Sequence, residues 1–149
     1  MKYAHNIKVN VFCKQEDKEE DILKNLLALF PFNLEEQKIK VNRSNAEGFQ
    51  QKTIVIYEVV LEKDRHINEF IKDILSKLNH EQKQLLIRQL DSRIDNDLNF
   101  FLRLDKDKLI KEGKYFITEY GNCYHIKLSV AAFPSKKEMA LEVVKNMLE

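Results

Sequence analysis

Five aspartates lie close together in the second half of the sequence, and by residue type they could bind a divalent cation. They are Asp91, Asp95, Asp97, Asp105 and Asp107. A magnesium-dependent nuclease needs carboxylates gathered near the phosphate that it cleaves. Each of these aspartates also fits a structural position at a helix end, in a turn or at a helix start. We therefore expect structural roles for all five and predict that the protein is not an enzyme.

Histidine and cysteine, the other common metal ligands, are sparse. The four histidines show no helical i, i+4 pair: His5, His66, His80 and His125. His5 and His125 could become neighbours if their strands pair, but no further ligands accompany them. Cys13 and Cys123 lie in alternating apolar runs and are expected to be buried free thiols on strands. The sequence has neither a glycine-rich phosphate loop nor a Gly-x-Ser-x-Gly motif, and we predict no metal and no cofactor.

Several basic residues occur where they could contact phosphate groups. Lys52 follows the segment around Gly48, and the last predicted helix starts with two lysines beside backbone N–H groups that also attract anions. The residues that we predict to contact the phosphates of a nucleic acid are Lys52, Arg103, Lys106, Lys136 and Lys137. If the fold gathers them, they form a phosphate-binding face; otherwise they belong to an ordinary solvated surface.

Arg103 has two open interpretations. It alternates with Leu102 and Leu104, so its side chain should point away from the core. There it could contact phosphate or form a structural ion pair with Asp95, Asp97 or Asp105. Two aromatic residues nearby could stack on bases or complete the core, and they are Phe101 and Tyr124.

The strands that would position these residues are visible as apolar patterns. Alternation predicts strands over 6–13, around 39–42, over 100–104, over 115–118 and over 123–133. The segment Thr53–Leu61 is apolar on both faces and rich in β-branched residues, which predicts a central strand. The polar segment Arg43–Gln51 contains Gly48 and is predicted to be a loop or hairpin connection.

Helical stripes and capping residues alternate with these strands. Asp17 with Glu20 and Ser135 with Glu138 have the spacing of capping boxes. Asp64 and Asn79 are further predicted caps, and a short helix is expected over 105–112. The stripe of the longest helix is Ile67, Phe70, Ile71, Ile74, Leu75 and Leu78. The predicted fold is α+β, with a mixed or mainly antiparallel sheet and helices packed mostly on one face.

Length and composition agree with a single domain over 1–149. The chain has 149 residues, of which 44% are hydrophobic, and a net charge of +1 that excludes a strongly basic, histone-like protein. No stretch approaches the ~20 apolar residues of a membrane span. The first residues lack the apolar core and cleavage site of a signal peptide, so a cytoplasmic protein is expected.

Four segments in order make the sequence recognisable: Leu75-Ser76-Lys77-Leu78, Leu90-Asp91-Ser92-Arg93-Ile94-Asp95, Phe101-Leu102-Arg103-Leu104-Asp105-Lys106 and Val130-Ala131-Ala132-Phe133-Pro134-Ser135-Lys136. With the opening His5-Asn6-Ile7, the chain resembles an archaeal family of predicted RNA-binding proteins, often described as exosome-associated. The resemblance implies a fold like that of the 5S-rRNA-binding protein of the large ribosomal subunit.

The same resemblance implies RNA binding without catalysis. The partners would be a structured or ribosomal RNA and proteins of the RNA-processing machinery. Many relatives carry Gly-Asn-Pro-Ile where this chain has Gln51-Lys52-Thr53-Ile54, so an RNA contact there is either lost or replaced by a phosphate contact from Lys52. The alternative function is that of a protein-interaction or assembly domain that does not itself touch RNA.

Overall fold

The sheet is built from strands in which alternate residues are buried. The computed structural model of the protein describes residues 2–47 and 52–149. Its strands are β1 (Ala4–Cys13), β2 (Val41–Glu47), β3 (Thr53–Leu61), β4 (Asn99–Asp105) and β5 (Cys123–Val130). They form one five-stranded sheet in the order β2-β3-β1-β5-β4, and each neighbouring pair is antiparallel.

The described residues also form helices that cover one face of this sheet. The helices are α1 (Glu19–Ala28), α2 (Asp64–Lys77), α3 (His80–Arg88), α4 (Leu90–Arg93), α5 (Lys106–Glu112) and α6 (Lys137–Leu148). Ile67, Phe70 and Ile74 of α2 are buried, as the helical stripe predicts. They share one apolar core with Phe100 and Ile126 from the sheet. The predicted α+β fold with helices on one face is confirmed.

β3 lies inside the sheet, as predicted, but it is next to the middle strand and is not the middle strand itself. β3 pairs with β2 on one side and β1 on the other, whereas the middle strand is β1. Tyr57 and Val59 of β3 are buried, but Ile56 and Val60 are only half-buried because no helix in the described part of the chain covers their side of the sheet. An apolar run on both faces therefore indicates an interior strand, and it does not distinguish the middle strand from its neighbour.

The predicted loop over 43–51 is wrong for its first part. Residues 43–47 belong to β2, and residues 48–51 lie outside the described residues. β2 is an edge strand, and polar residues are common on both faces of an edge strand because neither face is fully buried. The segment therefore lacks the alternation by which a strand is recognised.

Local capping follows the predictions only in part. The Asn79 side chain accepts a hydrogen bond from the Gln82 backbone N–H at 2.8 Å, which confirms this cap of α3. The two predicted capping boxes are wrong, because Lys18 and Lys136 occupy the N-cap positions of α1 and α6 without side-chain cap bonds. The Asp64 cap is also wrong, since Asp64 lies in the first turn of α2 and Lys63 precedes it.

The region after β4 folds back on that strand. α5 forms as expected and ends at Gly113, whose φ of 65° is in the left-handed region that favours glycine. The predicted strand over 115–118 reduces to an isolated bridge between Ile117 and Leu104. The long strand predicted over 123–133 ends at Val130.

Candidate nucleic-acid interface

The side of the sheet opposite the helices, which we call the open face, carries cationic and aromatic side chains. Strand residues alternate between the two faces, so the residues between the buried ones point to this side. They are mostly half-buried because their neighbours in the sheet flank them, while none of the helices over 2–47 and 52–149 covers them. The members that matter below are Lys8, Asn10 and Phe12 of β1, Phe101 and Arg103 of β4, and His125 and Lys127 of β5.

Two pairs of basic side chains lie directly opposite each other on the open face. Lys8 is the register partner of Lys127 between β1 and β5, and Arg103 is the partner of His125 between β4 and β5. Within residues 2–47 and 52–149, no carboxylate lies within 4.0 Å of the charged groups of Lys8, Lys127 or Arg103. Like charges directly opposite on a sheet are destabilising. The cations of the open face are therefore not held in close ion pairs, although the charge of Lys127 acts on Asp95 at longer range.

His125 lies at the centre of this arrangement. Burial lowers the pKa of its imidazole, and the neighbouring Arg103 and Lys127 lower it further. Its ring packs against the ring of Phe101 with a centroid distance of 5.4 Å. A neutral imidazole beside a phenyl ring is an uncharged, flat surface at neutral pH.

A recess in the open face lies next to these rings. It has a volume of about 300 Å³ and is lined by Asn10, Phe12, Arg103, Gly121, Cys123 and His125. Phe12 is 46% exposed, which is high for a phenyl ring in a strand. Burial raises the pKa of the Cys123 thiol, so it is protonated at neutral pH and is a weak nucleophile.

Lys106 is not on the surface. Its side chain is 2% exposed, and its ammonium donates hydrogen bonds to the Phe12 carbonyl oxygen and to Asp17 Oδ2, the latter at 3.2 Å. This burial conflicts with the prediction that Lys106 contacts phosphate. The physical reason is that α5 starts directly at the end of β4, which directs the first helical side chain under the end of β1.

The other predicted RNA-binding residues are dispersed. Lys52 is exposed just before β3, whose first residues lie beside the end of β1. Lys136 is exposed at the start of α6, and Lys137 lies 3.4 Å from Asp91. This helix follows the end of β5, which pairs with the start of β1. Lys52 and the two lysines thus lie at opposite ends of the sheet, whereas Arg103 lies within a strand of the open face.

The alternatives for Arg103 and the two aromatic residues are now distinguishable. The three aspartates considered as partners of Arg103 form no ion pair with it within 4.0 Å. Asp95 instead accepts the backbone N–H of Asn99, and Asp105 accepts that of Lys108. Phe101 is half-buried on the open face. Tyr124 belongs to the core, where its hydroxyl donates to the Ile22 carbonyl oxygen at 2.8 Å.

The remaining candidate chemical groups are separate from one another. His125 lies opposite Asn10, so pairing of β1 with β5 does not bring it to His5. Both cysteines are buried and free. Asp107 is 3.3 Å from the side-chain nitrogen of Asn122. In the part of the chain that the structure describes, no three His, Cys, Asp or Glu side chains gather as metal ligands would.

The sequence patterns missed Lys8, Lys127, His125 and Phe12 as members of one site. Alternation alone places each of them on the side of its strand away from the core. What alternation does not give is the pairing of β1 with β5, which joins residues more than a hundred positions apart.

Over the described ranges, none of the helices has the length and apolar character required to cross a bilayer.

Comparison with known proteins places this fold in a family. A family model described as RNA binding matches residues 6–131. The chain is 27% identical over 146 residues to an RNA-binding protein of Pyrococcus abyssi, covering 98% of this chain and 94% of that protein.

Two solved archaeal structures have the same fold. Protein AF2318 of Archaeoglobus fulgidus is 26% identical with a TM-score of 0.85, covering 97% of this chain and 99% of that one. Mth689, a DUF54 protein of Methanothermobacter thermautotrophicus, is 28% identical with a TM-score of 0.79, covering 99% of both chains. Since the family model spans most of the chain, this protein belongs to the RNA-binding family that the model describes.

Proposed function

We propose that this protein binds RNA through the open face of its sheet and does not catalyse a reaction on it. The observation that carries the proposal is the set of cations on the open face, with Lys8 opposite Lys127 and with Arg103 opposite the neutral His125. A polyanion laid across β1, β5 and β4 would neutralise this charge. Membership of the RNA-binding family supports RNA as that polyanion.

The number of cations sets the expected strength of binding. Three permanently charged side chains, Lys8, Arg103 and Lys127, suit contacts with about three phosphates. For single strands the log of the binding constant falls with log salt by about 0.7 per phosphate, which gives a slope of about −2. Lys52, Lys136 and Lys137 lie at the ends of the sheet and would contact a longer RNA, whereas Lys106 is omitted because it is buried.

The absence of catalysis is supported by the roles of the candidate catalytic groups. Asp95 and Asp105 hold backbone N–H groups of a turn and a helix start. Asp91 pairs with Lys137 at 3.4 Å. The Cys123 thiol in the recess is protonated at neutral pH because burial raises its pKa. These groups act in the fold, and none of them is poised as a nucleophile or a general base.

A charge-matched pair of triple variants tests the interface. One variant replaces Lys8, Arg103 and Lys127 with Gln. The control also introduces Gln, at Lys24, Lys72 and Lys83, which lie on the helices. Fluorescence anisotropy with a labelled RNA should show that the first variant loses about a hundredfold in affinity at 0.1 M salt. With a slope of about 0.7 per phosphate, each contact contributes about 0.7 decade of affinity at 0.1 M relative to 1 M salt, and three contacts are removed. The control should bind nearly as the wild type does.

Two outcomes of this experiment contradict the proposal. If both triple variants lose affinity equally, binding depends on net charge and the open face is not the site. If the wild type shows no salt-dependent RNA binding at low ionic strength, RNA binding itself is rejected. Circular dichroism of each variant confirms that the fold is retained.

A second candidate function is that of a protein-assembly surface. It is favoured by half-buried apolar side chains on the β3 side of the open face, Ile54, Ile56 and Val60, which continue from the exposed Phe12.

A link to RNA processing or the exosome is supported by the resemblance of the sequence to exosome-associated proteins. Purification of the native protein, with identification of the RNA and proteins that accompany it, separates these functions.

A further inference from the structure

The open face combines its cations with aromatic side chains that the fold leaves accessible. Phe12 is 46% exposed although it lies in the middle strand of the sheet. Phe101 packs on His125 with ring centroids 5.4 Å apart. The exposed part of the ring contributes little to folding, because that apolar surface remains in water. Flat rings next to cations are the arrangement on which unpaired nucleic-acid bases stack.

The recess between these rings offers hydrogen-bonding groups as well as apolar surface. Phe12 and the ring of His125 provide flat apolar area, while the Asn10 amide provides both a donor and an acceptor. Arg103 also lines this recess, where its guanidinium can contact the phosphate beside a bound base. A planar ligand with polar edges fits such a set of groups, and a nucleobase has this chemistry.

Base pairing determines which RNA can use this recess. In an A-form duplex the base faces are stacked and the pairing edges are occupied, so proteins contact mainly phosphates and 2′-hydroxyls. A half-buried sheet face also cannot enter the narrow major groove of such a duplex. Stacking on Phe12 therefore requires an unpaired base, from a single strand, a loop or a bulge.

Resting on the proposed function, we infer that the open face selects single-stranded RNA and places one unpaired base in the recess against Phe12. The phosphates on either side of that base contact Arg103, Lys8 and Lys127. The charges provide affinity, and the recess provides the preference for unpaired RNA.

The test compares two RNAs and two phenylalanine variants. A labelled single strand and the same strand annealed to its complement are titrated with the wild type, with Phe12→Leu and with Phe116→Leu. Phe116 is a matched control because it is 42% exposed and lines a different recess, with Asn25 and Ala28 of α1. The wild type should prefer the single strand, and Phe12→Leu should weaken single-strand binding by about tenfold, the effect of losing one stacked base. Phe116→Leu should have no effect.

The outcomes separate this inference from the proposed function. If the duplex binds as tightly as the single strand and Phe12→Leu binds normally, the inference is wrong. In that case a loss of binding in the triple variant at Lys8, Arg103 and Lys127 would still support the proposed function. If Phe12→Leu weakens both RNAs equally, the recess is not specific for an unpaired base, and the inference is also rejected.

Discussion

Lys106 illustrates how far a residue's role depends on its surroundings. By type and position it belongs to a basic segment after β4, yet its ammonium is buried and binds the Phe12 carbonyl oxygen and Asp17. Burying a lysine is unfavourable unless the charge is paired and hydrogen-bonded, and here both conditions are met. We therefore interpret Lys106 as a structural residue that fixes the end of β1, including the backbone of Phe12.

Replacing Lys106 with Met should lower the free energy of unfolding by about 1–3 kcal/mol, because charged hydrogen bonds are lost at similar side-chain volume. Urea unfolding measures this loss. The slope of RNA affinity against salt should stay that of the wild type, since no phosphate contact is removed. A shallower slope with unchanged stability would instead identify Lys106 as a phosphate contact.

At the scale of secondary-structure elements, the pairing of β1 with β5 creates the candidate site. It places Lys8 directly opposite Lys127, and like charges at opposed positions of a sheet are destabilising. Natural sheets usually place opposite charges or apolar residues at such positions. A binding site that lowers stability is a known consequence of selection for function.

Replacing Lys127 with Thr should therefore change stability and binding in opposite directions. Thr favours strands, and its introduction removes the repulsion with Lys8, so we expect about 0.2–1 kcal/mol of added stability. RNA affinity at 0.1 M salt should fall about fivefold through loss of one phosphate contact. Urea unfolding and anisotropy measure the two quantities. A variant that is less stable and binds RNA normally would show that Lys127 has a structural role.

Secondary-structure elements could be predicted from the sequence where a single local pattern determines them. The candidate site could not be predicted in this way. The stripe around Ile74 and the Asn79 cap depend on residues within a few positions, and both form as expected. The edge strand β2 was missed because its two faces are polar. The candidate site needs the register between β1 and β5, which depends on packing across the whole chain and leaves no local signal.

At the scale of the whole molecule, two histidines make stability sensitive to mild acid. Burial is the main cause that lowers the pKa of both His66 and His125 below the ordinary value of 6.5. Nearby cations act in the same direction, from Arg65 and Lys63 on His66 and from Arg103 and Lys127 on His125. The folded state therefore binds fewer protons than the unfolded state at pH values between the lowered pKa values and about 6.5.

The sign of the effect follows from this difference in bound protons. Stability should be highest above about pH 6.5 and should decrease as the pH falls below it, while the exposed carboxylates are still ionised. Urea unfolding at pH 7.5 and 5.5, for the wild type and for His66→Gln with His125→Gln, checks this. The double variant should lose most of the pH dependence. If it retains the wild-type slope, other groups cause the acid sensitivity.

The sheet order has a further consequence for how the chain acquires its fold. The middle strand β1 is followed late in the chain by its partner β5, at residues 123–130. At synthesis rates of about 5–20 residues per second, β5 is synthesised roughly 10 s after β1, and until then one edge of β1 has no partner strand. A high contact order of this kind slows folding, because the entropy cost of closing the loop arises before the stabilising contacts form. During this interval one backbone edge of β1 is unpaired, and an unpaired strand edge is prone to pair with another chain.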